Sequence, residues 1–357
     1  MKIVVLGNMQ PRYQAYGIAE CLERCGHDVI RLDSQATSEI WTTKKNFNAA
    51  RLNNCVVVDI CKYLPQDYDL LIYIMDKITY SFEQIQRPWY FVNTDLLFPR
   101  LPIGGLQYFL GVFHNFLGGQ ERMKDIYPYQ MNYLHFNRIL PYGVSKDLFL
   151  TPKPYFQREN NIGFMGTCEM DKHSPNPEKR NIYHTRKEVL SFLETTYPKD
   201  CRFQSNSGFQ QYQEFMQNTM IHVNVPGDNC DINQRMFEVC LAKGLLIQWY
   251  FFGLEKLTFK HKENCLIVRN LTQLKEAIDW ALSNPEECEK IAEQGYKNIL
   301  QNYIQEFQGE KILDAITHYQ VHDIEHIEAM QQLYDQLDEI NFHRLSIPNW
   351  VSIIDNQ

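Results

Sequence analysis

Long apolar runs are missing from this sequence. No stretch of its 357 residues approaches the roughly 18 consecutive apolar residues of a membrane-spanning helix. The amino-terminal segment Met1-Lys-Ile-Val-Val-Leu-Gly7 is too short an apolar run for a signal peptide. A cytoplasmic protein with no membrane span is therefore expected. An excess of positive charge is also missing: 43 acidic against 35 basic residues give a formal charge of -8. No global basic field is available to draw in nucleic acid or an anionic membrane. The ten cysteines include no C-x-x-C pair and no His/Cys cluster at zinc spacing, so reduced, mostly buried thiols are expected rather than disulfides or a structural metal. Cys21 and Cys25 fall on one face of an expected helix and read as core packing. A G-x-G-x-x-G fingerprint is absent too, since Leu6-Gly-Asn8 carries a lone glycine, which leaves a dinucleotide-dependent oxidoreductase without support.

What is present is an ordinary globular composition, 44% hydrophobic and 22% charged, in a chain longer than the usual single domain of about 100 to 200 residues. Two domains are expected. Lys2 to Leu6, a helix to about Cys25, and Asp28 to Leu32 form a strand-helix-strand opening, which implies a parallel sheet because parallel strands need crossovers. Short apolar strands are expected over Cys55 to Ile60, Leu70 to Met75, Trp89 to Asn93 and Tyr108 to His114, with another over Gln130 to Asn137. Pro141, Pro152 and Pro154 mark Leu140 to Tyr155 as a linker. The pattern then restarts at Asn161-Ile-Gly-Phe-Met-Gly-Thr167 and alternates strands with helices as far as Gln301. The fold class is therefore α/β, two doubly wound domains. The expected divisions are 1–145, a linker 146–158, a second domain 159–304, and a helical tail 305–357 packing back on the first. A coiled-coil partner helix is the alternative for the tail, against which its heptads are not sustained.

Ligands of open parallel sheets meet the loops at the carboxyl ends of the strands. Asn8 lies in such a loop after the first strand. Asp228 to Gly244 lies in another, after the strand Met220 to Val225. A helix beginning near Gln234 would turn its positive dipole end toward a phosphate, and Arg235 adds a formal charge there. Glu238, three residues on, shares the helix face, so that a phosphate cation and an acceptor for ribose hydroxyls would adjoin. An ordinary i, i+3 salt bridge is the plain alternative. In the first half, Asp95 follows the strand Trp89 to Asn93 and could serve as general base toward an acceptor hydroxyl; a helix N-cap is its plain alternative. His114, closing another strand, is a second candidate base.

The stretch Asn233-Gln-Arg-Met-Phe-Glu-Val-Cys-Leu-Ala-Lys-Gly-Leu-Leu246 resembles the donor-site helix of group-1 glycosyltransferases, in particular the CgeB type of spore-maturation protein. Leu140-Pro-Tyr-Gly-Val-Ser-Lys-Asp-Leu-Phe149 and Ile162-Gly-Phe-Met-Gly-Thr167 resemble that family's interdomain segment and first donor-domain strand. Glu263-Asn-Cys-Leu-Ile-Val268, Leu274 to Leu282 and Ile291-Ala-Glu-Gln-Gly295 resemble the remainder. The likeness spans Leu140 to Tyr303. It implies a GT-B fold, two Rossmann-like domains facing a cleft, with a nucleotide-sugar in the second. By this carry-over Glu238 holds the ribose and Arg235 the diphosphate, with Phe237 in the same motif. The Gly166-Thr167 turn lets a phosphate approach the backbone. Arg186 is a second phosphate cation, a role for which Arg180 competes. Many members carry an acidic residue seven positions before the ribose glutamate; here Asp231 stands there, and Asp228 or Asp231 would contact the sugar.

The resemblance implies a hexosyltransferase that moves a sugar, from a UDP-sugar by preference, to a hydroxyl of a glycan, protein, small molecule or DNA, with no required metal ion or other cofactor. An Asp95-like residue with an Arg and a Glu three apart also resembles phage DNA-base glucosyltransferases. Against a DNA acceptor, Lys44, Lys45, Arg100 and Arg122 are dispersed rather than gathered into a groove. A catalytically silent module binding a glycan or protein is the remaining alternative. Asp67-Tyr-Asp69 has the spacing of the metal-binding D-x-D of the other glycosyltransferase fold. It precedes a strand instead of following one, and reads as solvated carboxylates.

Overall fold

The computed structural model describes residues 1–9, 13–33, 51–52, 55–74, 79–81, 85–87, 89–93, 109–114, 136–139, 143–149, 151–166, 177–205, 208–226, 232–251 and 253–318. The chain forms two compact units, one of Met1–Pro141 with Gln305–Gln357 and the other of Tyr142–Ile304. The stretch expected to link two domains thus falls largely within the second unit. Its Lys146–Phe149 and Tyr155–Gln157 form short 3-10 turns that bury Leu148, Phe149 and Tyr155.

In the first unit, strand β1 (Lys2–Gly7), helix α1 (Gln14–Arg24) and strand β2 (Asp28–Asp33) make the expected opening crossover. The strands β3 (Arg51–Leu52), β4 (Cys55–Asp59), β5 (Leu70–Ile74), β6 (Thr79–Ser81), β7 (Trp89–Asn93), β8 (Phe109–His114) and β9 (Phe136–Ile139) follow. The main sheet is six-stranded, in the order β2-β1-β5-β7-β8-β9, and all its pairings are parallel. Cys55 to Asp59 does not join it but pairs with β3 and β6 in a separate three-stranded sheet. β-Branched Ile3 and Val5 of β1 pack with Ile18, Ala19 and Leu22 of α1, the buried face of an amphipathic helix.

The second unit opens with β10 (Asn160–Met165) and continues through α2 (Pro177–Thr196), β11 (Cys201–Gln204), α3 (Phe209–Asn218), β12 (Thr219–Asn224), α4 (Gln234–Leu241), β13 (Leu245–Trp249), β14 (Leu266–Val268), α5 (Leu271–Ser283) and α6 (Pro285–Asn302). Helix α2 begins nine residues before the expected Arg186 start. Pro at its first position has a fixed φ suited to a helical N-terminus and needs no amide bond there. The sheet is parallel throughout, in the order β11-β10-β12-β13-β14. Ile162, Phe164, Ile221, Val223, Leu245 and Ile247 are buried on its central strands, the two-faced burial that makes parallel strands read as continuous apolar runs.

The last described helix, α7 (Gln305–His318), returns to the first unit and lies against α1. Gly309 permits the approach: a Cβ there would fall 2.1 Å from Cys21 Sγ. Gln14 Nε2 donates to Gln308 Oε1 at 3.1 Å beside this contact. Cys21 is accordingly buried, whereas Cys25 is exposed, so only the first of the two expected core cysteines packs. Among the described residues no helix is long and apolar enough to cross a membrane.

Candidate functional site

Strand order locates the site. In the second unit the chain moves from β10 outward to β11, then crosses back over β10 to β12. In open parallel sheets a ligand site is expected at such a point of reversal, beside the carboxyl ends of the two strands. Gly166 directly follows β10, Val225 and Pro226 follow β12, and Asn233 directly precedes α4.

Two of the expected donor residues, Gly166 and Arg235, adjoin at this switch point, and a third, Arg186, contacts Pro226 beyond β12. Gly166 has a φ of 154°, which side-chain-bearing residues rarely adopt. A Cβ at Gly166 would lie 3.5 Å from Arg235 Nη1, so the guanidinium from the first turn of α4 stands directly beside the β10 turn. Arg186, on α2, is 6% exposed, and its Nη2 donates to Pro226 O at 2.8 Å. It thereby ties the helix following β10 to the loop following β12.

The amino terminus of α4 is held by a network of amide side chains. Asn233 is the N-cap, with φ -126° and ψ 156°, and its Oδ1 accepts from Met236 N at 3.2 Å. Its Nδ2 donates to Asn224 Oδ1 at 3.2 Å and to Val225 O at 2.9 Å. Asn224, on β12, donates to Asn233 Oδ1 at 3.0 Å and to Gln248 Oε1 of β13 at 2.7 Å. The positive end of the helix is thus fixed to the carboxyl edges of two strands, where an anion would gain from the dipole. The other end is held by Arg158, buried, which donates to Thr219 O at 2.8 Å and to Ala242 O. Burial pushes the Arg158 guanidinium down to about 10.

Glu238 is fully buried and accepts a hydrogen bond from the Tyr212 hydroxyl of α3. Phe237, expected among the donor-binding residues, is fully buried, its ring 4.8 Å from the Tyr303 ring and 5.8 Å from the Phe259 ring. Thr167, Asp228 and Asp231, and in the first unit Asp95, lie outside the described residues. Asn8 follows β1, the strand at the switch point of the first sheet, between β1 and β5. His114 closes β8, in register with Asn93 at the end of β7; both are at the carboxyl edge. Among the described residues no three His, Cys, Asp or Glu side chains gather as they would around a metal ion.

Tyr212, Asn224, Gln248 and Arg158 were not singled out by sequence. Asn233 carries a readable signal as an N-cap, an asparagine immediately before an amphipathic run. The others act through contacts across the sheet, for which a single sequence holds no local pattern.

Residues 176–314, which include α2 to α6 and most of α7, match a family model described as glycosyl transferase-like. No curated protein sequence matches the chain. Among solved structures, a glycosyltransferase from Rickettsia africae ESF-5 is 14% identical, with 90% of this chain and 98% of that one aligned at a TM-score of 0.53. Anabaena Alr3699/HepE in complex with UDP-glucose is 11% identical over 89% of this chain and 100% of its own, at 0.52. An alpha-glucosyltransferase in complex with UDP-glucose and DNA containing an abasic site is 12% identical over 89% and 99%, at 0.58. The fold is that of the GT-B glycosyltransferases, with two Rossmann-like domains.

Proposed function

We propose that the protein is a glycosyltransferase that takes a sugar, by preference a hexose, from a nucleotide-sugar donor and passes it to an acceptor hydroxyl. The observation that carries this reading is the convergence of the Gly166 turn, the Arg235 guanidinium and the capped amino terminus of α4 at the switch point of the second sheet. A glycine turn, a cation and a helix dipole together suit a diphosphate. In this reading Arg235 neutralises the diphosphate, Arg186 supports the same region, and Glu238 accepts from the ribose hydroxyls. Thr167, Asp228 and Asp231 complete the donor site, with Asp228 or Asp231 at the sugar. Asp95 or His114 deprotonates the acceptor, and Asn8 borders it.

Uridine is the favoured base, supported by solved structures of this fold that hold UDP or UDP-glucose. The order of the segments from Leu140 to Tyr303 favours a CgeB-type member. No metal or other cofactor is part of the proposed reaction. One structure of similar fold holds DNA, but the net charge of -8 favours a glycan, protein or small-molecule acceptor over a polyanion.

A calorimetric and hydrolysis screen of UDP-, GDP- and dTDP-sugars tests the reading. Binding and slow hydrolysis of at least one donor is expected, weakened at least tenfold in Arg235→Ala and in Glu238→Gln, both remaining folded. If every donor fails to bind or to be hydrolysed, or if both variants bind normally, the proposal fails. Retention on duplex DNA with a steep salt slope would move the acceptor reading to DNA.

A further inference from the structure

The outer flank of the second sheet carries a pocket whose lining includes none of Gly166, Arg186, Arg235 and Glu238. It lies against β14, the edge strand, and has a volume of about 680 Å³, within the roughly 300–1,000 Å³ of small-molecule sites. Buried Leu254, Phe259, Leu266 and Val268 form its floor. Gln273, Glu276, Ala277 and Trp280 line one wall; their spacing puts them on a single face of α5.

The polar groups around this floor are of both signs. Lys262 Nζ stands 5.8 Å from the centroid of the Trp280 ring, and Arg269 Cζ stands 3.5 Å from that of Tyr250. Among the described residues neither cation is paired with a carboxylate. Lys262 holds its place with a φ of 64°, a left-handed conformation strained for lysine. The lining carboxylates are Glu255, which accepts from Tyr250 Oη at 3.4 Å, and Glu276. His261 Nδ1 accepts from the β14 amide of Ile267 at 2.9 Å, so the ring is neutral and its Nε2 carries a hydrogen. Burial, and then the neighbouring Lys262 charge, lower its pKa and keep it so.

Two cations and two carboxylates leave the lining with no net formal charge. An anion gains from Lys262 and Arg269 but is repelled by Glu255 and Glu276; a cation meets the converse. A hydroxyl suits both, because it donates to a carboxylate and accepts from an ammonium or guanidinium in charge-assisted bonds. Gln273 Nε2 and His261 Nε2 add neutral donors, and Tyr250, Phe259 and Trp280 offer apolar surface to C–H faces. We propose that this pocket binds a neutral saccharide, at a site separate from the donor crevice. The inference stands without the transfer reaction: a protein that moved no sugar could still hold one here.

A neutral-glycan array, followed by ligand-observed saturation-transfer measurements on each glycan retained, tests it on the full chain. At least one neutral oligosaccharide is expected to bind, at least tenfold more weakly in Trp280→Ala. Because Trp280 also packs against the core, Glu276→Ala and Arg269→Ala, at exposed side chains, are measured beside it with the same expectation. Arg235→Ala, in the donor crevice, is expected to keep full saccharide affinity. No binding on the array, equal binding in all three pocket variants, or binding lost in Arg235→Ala instead would each overturn the proposal. So would preferential capture in this pocket of an amphipathic anion, 1-anilinonaphthalene-8-sulfonate, with no saccharide bound. If the unmodified protein binds the saccharide but no nucleotide-sugar donor, that counts against the glycosyltransferase reading alone.

Discussion

The Tyr212 hydroxyl, carried by α3, donates to the fully buried Glu238 carboxylate of α4. A carboxylate kept from water depends on such partners, since removing one leaves buried acceptor capacity uncompensated, at about 1–3 kcal/mol. If Glu238 accepts from ribose, Tyr212 is a positioning residue that orients it. Tyr212→Phe, which keeps the ring, is therefore expected to lower stability by about 1–3 kcal/mol and to weaken UDP binding several-fold. Urea denaturation and calorimetry measure the two effects. Unchanged affinity alongside lowered stability would reduce Tyr212 to a packing residue.

The amide network at the amino terminus of α4 leads to a coupled prediction. Asn233→Ala removes an N-cap, at about 0.5–2 kcal/mol, and also the partner of Asn224. Asn224→Ala removes that same pair from the strand side. Residues in one hydrogen-bond network interact by about 0.5–3 kcal/mol, so the double variant should be less destabilised than the sum of the singles. Additive losses would mean that the Asn224–Asn233 contacts hold nothing jointly.

Much of this architecture was legible because it rests on local signals. Strands such as Lys2–Gly7, Thr219–Asn224 and Leu245–Trp249 are short β-branched or apolar runs bounded by turn residues, and their parallel order follows from the helices between them. The separate sheet of Cys55–Asp59 was not legible, because an apolar strand carries no record of which sheet it enters. Nor was the beginning of the second unit at Tyr142: prolines signal an extended chain but not whether it packs. Arg235 and Gly166, which the structure brings together, could be named as candidates from their positions after strands. The packing of the Phe237 ring against Phe259 and Tyr303 could not be read, because those partners are distant in sequence and no local pattern announces them.

At the β10 turn, Gly166→Ala separates backbone strain from ligand exclusion. The added Cβ would meet Arg235 only at ordinary contact distance, 3.5 Å from Nη1, so the folded state loses mainly through the unusual φ, about 1–3 kcal/mol. A methyl group where the backbone should meet a phosphate would exclude the diphosphate as well. The expected result is a folded protein of lower Tm whose affinity for UDP falls at least tenfold. A variant that loses stability but keeps its affinity would remove the Gly166 turn from the donor site.

On β12, His222 makes stability depend on pH. Its Nε2 donates to Met216 O at 3.2 Å in the interior of the unit. Burial first, and then the charge of Arg158, lower its pKa from the ordinary 6.5 to about 3. The unfolded chain therefore takes up a proton near pH 6.5 that the folded chain refuses until about pH 3. Between those limits the unfolded state binds more protons, so stability falls as pH falls, by about 1.4 kcal/mol for each unit once the unfolded imidazole is charged. His222→Gln retains an N–H for the Met216 carbonyl and does not titrate. Denaturant unfolding from neutral pH down to about pH 4 should give this variant a dependence shallower by about one proton. Equal slopes for the two proteins would show that His222 is protonated in the folded state, or that it leaves the core before the chain unfolds.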